Sequence, residues 1–70
     1  MTAYFVRKYR MSGNPKTVAM TYDKSEAEAL CSHPKTRGAT WFYGWTELEP
    51  RDANRNTLPR VADLLHELSK

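Results

Sequence analysis

Cysteine is nearly absent from this 70-residue chain, where Cys31 stands alone. An internal disulfide is therefore excluded, and a small domain built for an oxidising compartment would carry several such staples. Glycine is scarce as well: Gly13, Gly38 and Gly44 lie too far apart to form a phosphate-cradling loop. No apolar run reaches signal-peptide length or approaches the roughly 20 residues of a membrane span, and no Asn-x-Ser/Thr site occurs. We therefore expect a soluble, cytoplasmic protein used as translated. Acids are missing from residues 1–22, which hold Arg7, Lys8, Arg10 and Lys16 for a local charge of +4, whereas residues 47–70 have four bases and five acids. A basic first third attracts polyanions, but against a net charge of only +3 its footprint is modest.

Groups able to do chemistry are also few. Cys31, His33 and His66 are the only soft ligands, a structural zinc site takes four, and residues two apart on a helix do not face each other. Glu26 and Glu28 are accounted for by helix capping and the helix dipole, and the remaining acids fall in a linker or on helix surfaces. The expectation is no metal, no cofactor, no catalytic residue and no enzyme. A chain of this size hides only about 60% of the surface it exposes when unfolded, which leaves little room for a deep cleft.

What the chain does have is aromatic surface concentrated in one place. Of eight aromatic residues, four lie in the stretch Trp41-Phe42-Tyr43-Gly44-Trp45. Upstream, Tyr4–Met11 and Thr17–Tyr22 are rich in β-branched and aromatic residues and flank the turn formers Ser12-Gly13-Asn14-Pro15-Lys16, the pattern of a β-hairpin. Asp23 and Glu26 have capping-box spacing, with Tyr22 placed to staple onto Ala27. Ala27, Leu30 and Cys31 form a helical stripe, and Pro34 ends the helix near Ser32. Thr40–Leu48 reads as a third strand. Residues 50–57, with Pro50, Asp52, Asn54 and Asn56, read as a linker, and a helix from Leu58 or Pro59 to Leu68, with Thr57 as its cap, carries Val61, Leu64, Leu65 and Leu68 at helical spacing.

The predicted fold is α+β, in the order β-β-α-β-α: a mostly antiparallel three-stranded sheet of order 2-1-3 with one helix packed on it and a C-terminal amphipathic helix. Residues 1–49 form the ββαβ core, and 58–70 either join the same domain or serve as an oligomerisation element through Val61, Leu64, Leu65 and Leu68. Strict alternation puts Val6, Val18, Met20, Phe42 and Leu48 beneath the first helix and Phe5, Tyr9, Trp41, Tyr43 and Trp45 on the opposite face. Three readings of that second face stay open. The C-terminal helix covers it; it is a protein interface centred on Trp41, Tyr43, Trp45, Phe5, Arg7 and Tyr9; or its rings stack nucleobases while Arg7, Lys35 and Arg37 meet phosphates. The hairpin offers a separate nucleic-acid arm through Arg7, Lys8, Arg10 and Lys16.

Three stretches match a known pattern in order: Tyr4-Phe5-Val6-Arg7-Lys8-Tyr9, Glu26-Ala27-Glu28-Ala29-Leu30-Cys31-Ser32-His33-Pro34-Lys35-Thr36, and Trp41-Phe42-Tyr43-Gly44-Trp45-Thr46-Glu47. The chain resembles small proteins of bacteriophages and actinobacterial genomes that combine a Glu-Ala-x-Ala-x-Cys helix with a Trp-Phe-x-Gly-aromatic strand. The resemblance implies a phage-type accessory protein acting in the host cytoplasm and carries no activity with it. Tyr43 stands where that pattern often has an acid, and residues 52–70 lie outside it. The leading expectation is a non-enzymatic protein that docks on a protein partner, such as a host factor. Nucleic-acid binding through the hairpin and a purely structural homo-oligomer are the alternatives, and no membrane role is expected.

Overall fold

A computed structural model describes residues 1–69; Lys70, the last residue of the expected C-terminal element, lies outside the described residues. Strands β1 (Tyr4–Arg10) and β2 (Lys16–Thr21), helix α1 (Lys24–Ser32), a 3₁₀ turn (Pro34–Thr36), strand β3 (Trp41–Thr46) and helix α2 (Val61–Leu68) follow in that order. The sheet order is β2-β1-β3 with both pairs antiparallel, as the alternation and turn signals predict. Gly13, at φ +91°, takes the left-handed conformation in the hairpin loop that other residues rarely adopt.

The expected division of the two sheet faces needs correction. Val6 pairs with Ala19 on β2 and with Trp45 on β3, so Trp41, Tyr43 and Trp45 lie on the helix side, Tyr43 and Trp45 packed against the buried Val6, Ala19, Ala27, Leu30 and Val61, while Phe42, the partner of Tyr9, faces the other way. Phe5 pairs instead with Met20, and both are buried on the opposite face with Ala3. The physical reason is a β-bulge. Val6 faces Ala19 but Arg7 faces Thr17, which leaves Val18 as an extra residue, packed on the helix-side core beside Ala19. The alternation of β2 thereby changes phase and Met20 goes to the other side. Phe42 and Leu48, expected beneath the helix, are 53% and 80% exposed.

Helix α1 starts at Asp23, whose carboxylate accepts from the Ser25 amide (2.9 Å) rather than from Glu26. The reciprocal half of the cap runs through Thr21. Its hydroxyl accepts from the Asp23 amide (3.0 Å) and donates to Glu26 (2.6 Å). At the other end the chain turns extended at His33, and the buried Thr36 hydroxyl, 2.7 Å from Leu30 O and 2.8 Å from His33 O, supplies a donor for carbonyls the helix leaves open.

The expected linker is a strap across the second face. Asp52 accepts from the Thr17 amide (2.9 Å) and hydroxyl (2.8 Å) and pairs with Arg7 (3.5 Å), while Ala53 and Leu58 pack on the Ala3, Phe5 and Met20 cluster. Arg55 lies over the Phe5 ring and pairs with Glu49 at 2.6 Å. Helix α2 then begins later than its sequence pattern suggests. Pro59 and Arg60 stay extended beside β2, where Pro59 O accepts from the Met20 amide (3.1 Å), and Arg60 takes the cap position expected for Thr57. Val61, Leu64, Leu65 and Leu68 turn into the helix-side core, so α1 and α2 form one layer on a single face.

Candidate functional site

The exposed aromatic and basic groups gather at the end of the sheet that carries the hairpin loop, where β1 ends and β3 begins. An open cleft of about 480 Å³ lies there, lined by Tyr9, Arg10 and Met11 from the end of β1, by Arg37 and the backbone turn that follows it, and by Trp41 and Phe42 from the start of β3. The turn is fixed by main-chain bonds: the Gly38 amide donates to Trp41 O (2.9 Å) and the Met11 amide to Thr40 O (3.0 Å). Every lining residue is neutral or basic.

The rings around the cleft are seated on glycine. Tyr9 and Phe42 stack with centroids 5.3 Å apart and planes 20° apart, and a Cβ on Gly44 would stand 2.9 Å from the Tyr9 ring. Across the turn, a Cβ on Gly38 would collide with Trp41 Nε1, so the indole occupies the space a side chain would need. Neither glycine has a positive φ. Both serve by lacking a side chain rather than by backbone freedom.

The cations come from three segments. Lys8 and Lys16 are directly opposed on β1 and β2, and Lys8 Nζ sits 4.7 Å from the Trp41 ring centroid. Arg10 pairs with Trp41 across the strands and is exposed, and Arg37 is held by donation from its Nη2 to Cys31 O at 3.1 Å. Among the described residues the ion pairs are Arg7 with Asp52, Lys24 with Glu28 and Arg55 with Glu49, none of which uses these four cations.

Of the nucleic-acid candidates, Arg10 and Arg37 line the cleft, Lys8 and Lys16 oppose each other on the neighbouring strands at the same end of the sheet, and two lie elsewhere. Arg7 is committed to Asp52 and to Pro15 O (3.2 Å), and Lys35 donates to Leu68 O (3.2 Å) at the end of α2. Of the interface candidates, Trp41 and Tyr9 stay at the cleft, Tyr43 and Trp45 are half-buried against the core, and Phe5 lies beneath the strap. The oligomerisation candidates Val61, Leu64, Leu65 and Leu68 are used within the chain's own core. Phe42 and Met11 lie outside the sequence-based site candidates. The signal for Phe42 was Gly44: a glycine inside an aromatic strand invites a neighbouring ring to lie on it, and that ring is Tyr9, the cross-strand partner of Phe42.

Elsewhere the chemistry is quiet. Burial pushes the Cys31 thiol up to about 11, with Arg37 opposing, so little thiolate exists near neutral pH. Among the described residues no group of three His, Cys, Asp or Glu could hold a metal ion, and no helix is long and apolar enough to cross a membrane. No family model, curated protein or solved structure matches the chain, so its function is argued from the chemistry of this surface.

Proposed function

We propose that the chain is a non-enzymatic, phage-type accessory protein that works in the host cytoplasm by binding nucleic acid at the hairpin end of its sheet. The observation that carries this reading is the direct opposition of Lys8 and Lys16 at the end of the sheet where Arg10 and Arg37 line a cleft with no acidic residue. Like charges facing each other across strands weaken a sheet. A polyanion laid along them turns that repulsion into attraction and releases its own counterions. The aromatic rings beside the cations suit a ligand that carries both phosphate and flat bases.

Docking on a protein partner is the second reading. Met11, 84% exposed, and Leu48, 80% exposed, favour it, since neither is needed to hold a phosphate chain. The two lie at opposite ends of the sheet, however, and only Met11 adjoins the cation cluster.

Fluorescence anisotropy with labelled single-stranded and duplex oligonucleotides tests the proposal. Four phosphate contacts predict a log–log salt slope of about −3 on a single strand, and the double variant Arg10→Glu, Lys16→Glu should bind neither probe. Absence of binding to any oligonucleotide at low salt would sink the nucleic-acid reading and leave the protein partner in its place.

A further inference from the structure

Resting on that reading, we infer that the cleft beside Phe42 is a base-stacking subsite, so that the protein selects single-stranded over duplex nucleic acid. Phe42 belongs to neither buried cluster, yet it keeps half of its surface in water on an otherwise ordered strand. Single exposed apolar residues are common, and what marks Phe42 is that it lines the cleft with its ring stacked on Tyr9.

The geometry gives it one free side. Tyr9 stacks on Phe42 at 5.3 Å, and Tyr9 is itself seated on Gly44, where no Cβ intervenes. Phe42 is therefore backed by a tier of ring on backbone, and a base arriving on its exposed side extends the stack without the side chain having to be ordered first. Trp41, seated on Gly38, bounds the cleft, and about 480 Å³ falls in the size range of small-molecule sites, ample for a base and its sugar. Arg10 and Arg37 line the same cleft, Arg37 bridged to Phe42 through the backbone and Arg10 paired with Trp41 on the helix side, so a strand whose base stacks on Phe42 meets both cations as it rounds the end of the sheet.

Base pairing decides the preference. In a duplex each ring face is already covered by its neighbours and only the edges are offered, so Phe42 gains nothing from it. On charge alone a duplex, with its denser phosphates, would be the tighter ligand. Preference for a single strand is thus the mark of the subsite and not of the cations.

The test uses the full chain with three probes: a thymine oligonucleotide of about 12 residues, a mixed-sequence duplex of about the same length, and inorganic polyphosphate as a polyanion without bases. The single strand is expected to bind most tightly. Phe42→Ala should weaken it by about fivefold to a hundredfold while leaving duplex binding, polyphosphate binding and the salt slope unchanged, and Phe42→Trp should restore it. Arg10→Ala and Arg37→Ala should instead each flatten the slope by about 0.7. A cooperative thermal melt for Phe42→Ala confirms that the fold persists. If Phe42→Ala binds the single strand as well as the parent, or the duplex binds as tightly, the subsite is wrong while the nucleic-acid reading stands. If neither nucleic acid binds at low salt, both fail.

Discussion

At the scale of single residues, the glycines at 38 and 44 do more to shape the surface than the charged groups around them. An alanine at 44 meets the Tyr9 ring at 2.9 Å, closer than ordinary contact, but the neighbour is the outer part of a movable side chain and not backbone. The ring is expected to swing off the strand. Replacing a glycine whose φ suits other residues restricts the unfolded chain, which favours the native state by about 0.4–1 kcal/mol and offsets much of that displacement. Gly44→Ala should therefore change unfolding free energy in urea by less than about 1 kcal/mol, while the Phe42 ring resonances shift and single-strand affinity falls as in Phe42→Ala. Arg7 makes the contrasting case. In sequence it is one more base of the hairpin, but its side chain faces the strap, where it meets Asp52 and Pro15 O.

At the scale of elements, the start of α1 depends on a short relay of side chains. Asp23 holds the Ser25 amide, and Glu26 is tied back to Thr21 at the end of β2, so the helix entry and the strand exit are fixed together. Asp23→Ala should lower the midpoint of urea denaturation, with m unchanged. Elements of this kind were legible in the sequence: the strands, both helices, the turn at Pro34 and the sheet order follow from periodicity, caps and breakers. The sharing of faces was not. Alternation divides each strand into two sets, but the match between one strand's set and its neighbour's is fixed by register, here by the bulge at Val18 and by Gly44 opposite Arg7. The strap was equally hidden. It adheres through one carboxylate, Asp52, and the apolar side chains of Ala53 and Leu58, too little to stand out in a stretch of turn formers. The cation cluster was half legible, since Lys8, Arg10 and Lys16 are neighbours on the hairpin while Arg37 arrives only through the fold.

At the scale of the whole molecule, one sheet carries two unequal cores, a helix-covered one around Val6 and Leu30 and a strap-covered one around Phe5 and Met20. The second is closed by a clasp that acid should open. The Thr17 amide and hydroxyl, with Arg7 adding its charge, hold the Asp52 carboxyl below the usual aspartate range. A carboxyl whose folded value is depressed stabilises the fold fully above its unfolded value of about 4, and this contribution is lost as pH falls through the lower folded value. Asp52→Asn should thus melt at a lower temperature than the parent at pH 7, the gap narrowing below about pH 5 and closing at still lower pH. Equal melting temperatures at pH 7 would show that the strap is held by packing alone. Val61 has a different consequence. It is completely buried at the centre of the larger core, among residues of β1, β2 and α1. The larger core is therefore closed only when residue 61 joins it, and the hairpin and first helix cannot reach native packing before that part of the chain is present.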